Sequence, residues 1–169
     1  MGNMENIILI GMPSCGKSTV GVLLAKHLGY RFLDSDLLIQ EQTGMRLHEL
    51  IATHGTEGFL RIENEVNSSI DVSSTVISTG GSAVYGAEAM EHLKSIGRVV
   101  YLAIDFETLF RRLGDYSHRG VVLRGGCTLR EMYDERVPLY EKYADVTVPV
   151  AKEELFGQTL ERVLAALEK

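Results

Sequence analysis

The segment that decides the fold is Ile7-Ile8-Leu9-Ile10-Gly11-Met12-Pro13-Ser14-Cys15-Gly16-Lys17-Ser18-Thr19, an apolar run followed by a glycine-rich loop. The loop carries the pattern G-x-x-x-x-G-K-[ST] between a predicted strand and a predicted helix, the setting in which this pattern binds phosphate. Glycines allow backbone N–H groups to turn inward around phosphate oxygens, and the helix N-terminus adds the positive end of its dipole. The alternative, a turn that only joins a strand to a helix, leaves the complete pattern unexplained.

Residues of this phosphate-binding loop (P-loop) have separate tasks in nucleotide chemistry. Lys17 is predicted to reach the β- and γ-phosphates of ATP, and Ser18 to coordinate Mg²⁺. We interpret Cys15, inside the loop, as a tolerated small side chain, with a redox role as the alternative. The predicted ATP contacts in the loop are Gly11, Ser14, Cys15, Gly16, Lys17, Ser18 and Thr19.

The rest of the chain alternates short apolar runs with amphipathic segments. Apolar strands that alternate with helices favour a parallel sheet covered on both faces, and ligands of such sheets bind at the carboxyl ends of the strands. The chain shows no repeat and no linker, which predicts one domain over residues 1–169. Strands are predicted at 7–10, 31–33, 75–78, 99–102 and 146–148, and helices at 17–28, 56–70, 87–95, 106–113, 129–143 and 153–167.

Composition disfavours several classes of function. The hydrophobic fraction of 45% is that of a globular chain, and a net charge of −6 disfavours nucleic acid and anionic membrane as partners. Cys15 and Cys127 match no metal-ligand spacing, which indicates reduced thiols in a cytoplasmic protein. The apolar run 7–10 is too short for a signal peptide or a membrane span. We therefore expect a cytoplasmic monomer that acts on a small molecule.

Three classes of P-loop protein are candidates. A GTPase would carry a guanine-reading Asn-Lys-x-Asp, which the sequence lacks. A motor or transporter ATPase would end an apolar strand in adjacent acids, and Asp105 with Glu107 resembles that arrangement superficially. We interpret Asp105 instead as the N-cap of a helix that begins at Phe106. The third class is a metabolite kinase.

The segment Phe32-Leu33-Asp34-Ser35-Asp36 favours the metabolite kinase. It places two carboxylates at the end of the second predicted strand, and in extended backbone side chains at i and i+2 point the same way. One carboxylate could hold Mg²⁺ through water while the other accepts the proton of an attacking hydroxyl. The alternative is that the pair only caps a helix, for which Asp36 before Leu37 is well placed.

Several separated motifs together resemble the shikimate kinase family, nearly end to end. The resemblance implies a three-layer α/β P-loop kinase whose five-stranded parallel sheet has the order 2-3-1-4-5. It also implies an acceptor-binding region at about 34–70, a mobile lid at about 114–126, and transfer of the γ-phosphoryl group from ATP-Mg²⁺ to a hydroxyl of shikimate. The motifs are the P-loop, Asp34-x-Asp36, Gly55-x-Glu57-x-Phe59 with Glu63, Thr79-Gly80-Gly81, Arg119, and Arg136-x-Pro138-Leu139-Tyr140.

The resemblance assigns roles at the acceptor end of the site. Asp36 would contact the acceptor hydroxyls and act as the base, with Asp34 near the metal. Gly80 and Gly81 would bring backbone against the substrate where a side chain would clash. Arg136 would bind the substrate carboxylate.

Two further arginines receive roles at the nucleotide end. Arg119 would close with the lid over the transferring phosphate and join Lys17 and Asp36 as a catalytic residue. A plain surface loop is the alternative for the lid segment. Arg112 would lie against adenine, whereas the alternative for Arg111 and Arg112 is favourable charge at a helix C-terminus.

Two positions depart from the family pattern. The family has an arginine that shares the substrate carboxylate with Arg136, and here that position is Leu60, followed by Arg61. One residue along a helix is a rotation of about 100°, so Arg61 enters the pocket only with backbone adjustment. Otherwise it is exposed or pairs with a neighbouring glutamate. Ser82 stands where the family usually has a third glycine, and it would either crowd the substrate or form a new hydrogen bond.

These departures leave the acceptor open at this point. We expect substrate contacts from Asp36, Gly80, Gly81, Ser82, Arg136 and Arg61, and metal contacts from Ser18 and Asp34. The alternatives to shikimate are another small hydroxylated metabolite or, without catalysis, a nucleotide-binding regulator.

Overall fold

The computed structural model describes residues 5–114, 125–152 and 155–169. Five strands in these residues form one parallel sheet in the order β2-β3-β1-β4-β5, so the predicted direction and order of the strands are confirmed. The strands are β1 Asn6–Ile10, β2 Arg31–Asp34, β3 Thr75–Ser78, β4 Gly97–Ala103 and β5 Val146–Pro149.

Helices connect these strands and flank the sheet. Residues 115–124, which include Arg119 and most of the predicted lid, lie outside the described residues, as do Glu153 and Glu154 at the start of the last predicted helix. No helix in the described ranges is long and apolar enough to cross a membrane. The helices are α1 Lys17–Leu28, α2 Ser35–Thr43, α3 Leu47–Ser68, α4 Ala87–Ile96, α5 Phe106–Leu113, α6 Leu129–Tyr143 and α7 Phe156–Leu167, with a short 3₁₀ helix at Ala83–Tyr85.

Strand β1 lies at the centre of the sheet. Ile8 pairs with Ile77 on β3 and with Val99 on β4, so both edges of β1 are hydrogen-bonded. Helices cover both faces, which explains why the strand is continuously apolar rather than alternating. The P-loop therefore leaves the sheet from its central strand and lies beside the segment that follows β3.

Helix α3 is longer than predicted, and it is bent. It runs over Leu47–Ser68 rather than starting at 56, and Gly55 inside it has φ 70° and ψ 175°. A positive φ costs a glycine little, so the chain changes direction there without ending the helical run. Gly55, which suggests a helix boundary in the sequence, therefore marks a bend inside α3.

Helix α2 was not predicted, and its cap corrects the interpretation of the acidic pair. Asp34 ends β2, and its side chain accepts hydrogen bonds from the backbone N–H groups of Asp36 and Leu37. The N-cap is therefore Asp34 and not Asp36, which lies in the first turn of the helix. The expectation that both carboxylates stand on extended backbone is wrong, because the helix starts between them.

Asp105 is the N-cap of α5, as predicted. Its carboxylate accepts hydrogen bonds from the backbone N–H and the hydroxyl of Thr108, both at 2.9 Å. The Thr108 backbone N–H is the main reason that the pKa of Asp105 lies below its usual value. This carboxylate is committed to capping, which removes the resemblance to a motor ATPase.

A second hydrophobic cluster lies apart from the main core, under α2 and α3. Its buried members are Ile39, Leu50, Phe59 and Val66, and Leu60 packs against them. This cluster holds the two helices against each other at the acceptor end of the molecule. The Leu60 side chain therefore packs in this apolar cluster.

The Asn6 side chain joins three segments at the amino edge of the sheet. It is 3% exposed and donates to the carbonyls of Val72 at 2.6 Å and Ile96 at 3.0 Å. Its carbonyl oxygen accepts from the backbone N–H of Thr75 at 3.0 Å. All three partners are backbone groups at the start of β3 or β4, or just before it.

We predict that Asn6→Ala lowers the free energy of unfolding by about 2–3 kcal/mol, because one buried and two half-buried backbone groups lose their partner at once. Urea denaturation with a matched Ser95→Ala control measures this, since the Ser95 hydroxyl bonds only an exposed carbonyl within its own helix. A loss as small as that of the control would contradict the role of the Asn6 side chain in joining these segments.

Candidate active site

A cavity of about 460 Å³ opens at the carboxyl edge of the sheet. It extends from the P-loop to the α2–α3 pair, so one space joins the predicted nucleotide and acceptor ends. Its lining residues are Pro13, Ser14, Gly16, Lys17, Ser18, Thr19, Asp36, Leu47, Phe59, Thr79, Gly80, Gly81, Ser82, Arg112, Arg136 and Phe156.

Lys17 lies folded over its own loop. Its ammonium donates to the carbonyls of Gly11 at 2.8 Å and Met12 at 2.7 Å, and its side chain is 7% exposed. Gly11 has φ 148°, and a Cβ there would lie 2.7 Å from the Leu102 carbonyl oxygen. A side chain at Gly11 would therefore displace the loop from β4 and move the lysine with it.

Three oxygen-bearing side chains meet at the start of α1. The Ser18 hydroxyl donates to Asp34 Oδ2 at 3.3 Å and lies 3.4 Å from the Ser78 hydroxyl. The two carboxylate oxygens of Asp34 have different partners: Oδ1 caps α2, and Oδ2 accepts from the Ser18 hydroxyl. Hard oxygen ligands such as these suit Mg²⁺, which keeps several waters and binds through few protein groups. Ser78 was not predicted, although it ends the strand beside β1.

Asp36 stands at the acceptor end of the cavity. Burial is the main cause that raises its pKa to about 6, with a further contribution from Asp34 and an opposing one from Lys17. A carboxyl group with this pKa is largely ionised at pH 7.5 yet still basic enough to accept a proton.

Neighbouring protein atoms crowd both glycines of the segment Thr79–Ser82. A Cβ on Gly80 would lie 2.7 Å from Asp36 Oδ1 and 2.9 Å from Glu63 Oε2. A Cβ on Gly81 would lie 2.6 Å from Pro13 Cδ and 3.2 Å from an Arg136 nitrogen. The close approach was expected of the substrate, but the groups that exclude a side chain belong to the chain itself.

Arg136 projects from α6 into the cavity and is 2% exposed. Its Nε donates to the Tyr85 hydroxyl at 3.3 Å, and its guanidinium lies 5.2 Å from the centre of that ring. One turn further along α6, the Tyr140 hydroxyl donates to the Gly81 carbonyl, and its ring stacks on Tyr101 at 5.1 Å. Helix α6 is thus bound to the glycine segment beside the arginine.

Ser82 forms a hydrogen bond inside the protein. It is 5% exposed, lines the cavity, and donates from its hydroxyl to Glu63 Oε1 at 2.7 Å. Of the two outcomes considered for this position, the hydrogen bond is the one the structure shows. Burial is the main cause that raises the pKa of Glu63 to about 7, and the Ser82 hydroxyl opposes it.

The remaining predicted residues lie in the cavity, at the surface or, for Cys15, in the core, where it is buried and does not line the cavity. Arg61 is exposed and is not among the residues that line the cavity, so the geometry does not support a substrate contact from it. Arg112 lines the cavity and donates to the carbonyls of Ser14 at 3.4 Å and Ala151 at 3.0 Å. Phe156 lies at the same end, and the sequence analysis missed it because nothing local to α7 marks it as part of a site.

We predict that Glu63→Gln changes how stability depends on pH. Folding raises the pKa of Glu63 from 4.5 to about 7, so the folded state holds the proton more tightly and wild-type stability falls as pH rises through this window. The difference in free energy of unfolding between the glutamine variant and wild type should therefore shift by about 3 kcal/mol in favour of the variant between pH 4.5 and pH 8. Urea denaturation at pH 4.5 and pH 8 measures the difference.

Glu65→Gln is the matched control for this pair, because Glu65 is exposed on the same helix. Its pH dependence should follow that of wild type. Parallel curves for the Glu63 variant and wild type would contradict a buried carboxyl group that resists ionisation.

Comparison with known proteins gives concordant results. The sequence profile of the shikimate kinase family matches residues 13–168. The shikimate kinase of Thiobacillus denitrificans is 38% identical over 162 residues, which cover 94% of this chain and 88% of that protein. The shikimate kinase of Nostoc punctiforme is 36% identical over 167 residues, with coverage of 96% and 90%.

A solved structure agrees over nearly the whole chain. The shikimate kinase of Acinetobacter baumannii in complex with shikimate superposes with a TM-score of 0.82 at 32% sequence identity, covering 98% of this chain and 96% of that one. The family profile and the relatives both span most of the sequence, and the strand order and P-loop cavity are those expected of the same enzymes. The chain belongs to the shikimate kinase family.

Proposed function

We propose that this protein transfers the γ-phosphoryl group of ATP to a hydroxyl of shikimate. The observation that carries the proposal is the single cavity that holds Lys17 at one end and Asp36 with Arg136 at the other. A nucleotide-binding regulator needs neither an acceptor-side carboxylate nor a buried arginine in that space. Family membership and a relative solved with shikimate support the choice of acceptor.

At the nucleotide end, the P-loop N–H groups would bind the phosphates of ATP. Lys17 would exchange its bonds to the Gly11 and Met12 carbonyls for bonds to the β- and γ-phosphates, which are stronger because both partners are charged. Ser18 and Asp34 would hold Mg²⁺, with Ser78 beside them. The ion supplies charge neutralisation for the transferring group.

The base of the nucleotide would lie beyond the loop, between Arg112 and Phe156. Both residues line the nucleotide end of the cavity, and a Cβ on Gly16 would lie 3.1 Å from the Phe156 ring. Arg112 is held by two carbonyls, so its planar guanidinium has a defined position. Purines stack favourably on such cationic and aromatic faces.

At the acceptor end, Asp36 would orient the attacking hydroxyl and accept its proton, because a pKa of about 6 leaves it ionised at neutral pH. Arg136 would bind the carboxylate of shikimate. Gly80 and Gly81 would present backbone to the acceptor ring, and Ser82 would border it. With these roles, the acceptor hydroxyl would lie in line with the γ-phosphate held by Lys17.

Arg119 and the lid complete the proposed mechanism, although they lie outside the described residues. A lid that closes over the γ-phosphate excludes water, which otherwise competes with the acceptor hydroxyl. Arg119 would then neutralise charge on the transferring group together with Lys17. We propose that the protein acts as a cytoplasmic monomer of one domain.

A second acceptor is favoured by one observation. The family's arginine position is Leu60, which packs in the apolar cluster, and the neighbouring Arg61 is exposed. Among the residues that the structure describes, Arg136 is therefore the arginine left to bind the substrate carboxylate. A different small hydroxylated metabolite is the alternative substrate that this change would fit.

We predict that Lys17→Ala lowers kcat by roughly 10²–10³-fold, because one buried cation beside the transferring phosphate is lost. A coupled assay of ADP release with ATP, Mg²⁺ and shikimate measures this. Lys26→Ala on the same helix is the control, because Lys26 is exposed and should leave kcat unchanged. Near-wild-type turnover in a folded Lys17→Ala protein would refute the phosphoryl-transfer mechanism.

We predict that Leu60→Arg lowers KM for shikimate about tenfold, since a charge-assisted hydrogen bond to the substrate carboxylate contributes about 1.5–3 kcal/mol. The same assay, with KM for ATP as the internal control, measures the effect. Absence of shikimate turnover in both wild type and Leu60→Arg would exclude shikimate and direct the search to other hydroxylated acids.

A further inference from the structure

The Ser82 hydroxyl is the only hydrogen-bond partner of the Glu63 side chain among the described residues. It donates to Oε1 at 2.7 Å, whereas Oε2 is buried without a partner in that part of the chain. Glu63 itself is 2% exposed. A buried carboxyl group with a single donor depends on that donor for its position, because nothing else replaces its lost water.

The Oε2 atom of Glu63 lies beside Gly80, which lines the acceptor end of the cavity. It lies 2.9 Å from the position that a Cβ on Gly80 would take, and Asp36 Oδ1 lies 2.7 Å from the same point. Glu63 also interacts electrostatically with Arg136. The carboxyl group thus stands behind the two side chains that we propose to touch the acceptor.

We propose that Ser82 is a positioning residue of the acceptor site, whose hydroxyl fixes the Glu63 carboxyl group behind Asp36 and Arg136 and thereby sets the affinity for the acceptor. Ser82 acts through Glu63, so its removal affects acceptor binding more than nucleotide binding. The use of shikimate as the assayed acceptor rests on the proposed function.

The helix geometry links this hydrogen bond to Leu60. Positions 60 and 63 of α3 are separated by three residues and therefore lie on one face of the helix. Leu60 packs against the apolar cluster and has no hydrogen-bond donor in its side chain. An arginine at position 60 could donate to Glu63 along that face. The hydroxyl at 82 supplies the donor that the leucine lacks, so the two departures from the family pattern compensate each other.

The test compares Ser82→Gly alone with Ser82→Gly/Leu60→Arg and with Ser82→Gly/Leu60→Met. Ser82 has φ −91°, so glycine is accommodated there without strain. We expect Ser82→Gly to raise KM for shikimate about tenfold and to leave KM for ATP unchanged. Because Leu60→Arg alone is expected to lower KM for shikimate, the effect of Ser82→Gly in that background is measured against Leu60→Arg alone, where it should be well below tenfold. Against Leu60→Met alone, a side chain of similar length without a donor, the effect should remain about tenfold.

Thermal unfolding of the same variants, together with Leu60→Arg alone, provides a second readout that needs no acceptor. The Tm lost through Ser82→Gly should be smaller in the Leu60→Arg background than in wild type, because Glu63 then keeps a donor. If the wild type does not turn over shikimate, the proposed function fails, and the Tm values still decide the coupling. Equal effects of Ser82→Gly in the wild-type and Leu60→Arg backgrounds, or equal rescue by methionine, would overturn the proposal.

Discussion

The central position of β1 is the constraint on which the rest of the structure depends. A strand paired on both edges and covered on both faces is predominantly apolar, as Ile7–Ile10 is. Its carboxyl end delivers the P-loop between the ends of β3 and β4. Because the loop leaves from a fully buried strand that is paired on both edges, Lys17 and Ser18 start from a fixed position in the sheet.

The acceptor end is organised by the two carboxyl groups that meet at Gly80. Asp36 comes from α2 and Glu63 from α3, and both oxygens occupy the space where a side chain would stand. Burial raises the pKa of both groups, which means that ionising either carboxyl group costs free energy in the folded protein. A pair that served packing alone would not need two ionisable groups at this position. Perturbed carboxyl groups in a cleft are typical of functional sites.

The departures at Leu60 and Ser82 belong to one local rearrangement of this end. The leucine joins the apolar cluster under α2 and α3, which removes a cation from the helix face that carries Glu63. The serine adds a hydroxyl that donates to the same glutamate. The acceptor end therefore keeps both carboxyl groups, Asp36 and Glu63, with the neutral Ser82 hydroxyl as the donor to Glu63. Among the described residues, Arg136 is the buried cation at this end.

The sequence by itself determined the P-loop, the positions of five strands, their parallel direction and the cap at Asp105, because all of these depend on spacing and periodicity within short segments. The strand order followed from the resemblance to a known family. Only the structure decided that Asp34 caps α2, that α3 bends at Gly55 and that two carboxyl oxygens crowd the place of a side chain at Gly80. It also decided that Ser82 bonds Glu63, 19 residues away. The cap at Asp34 and the bend at Gly55 are local, but the sequence pattern also fits a cap at Asp36 and a helix that begins after Gly55. The contacts at Gly80 and Ser82 join segments distant in the chain, and no local pattern records which distant atoms will fill a given space.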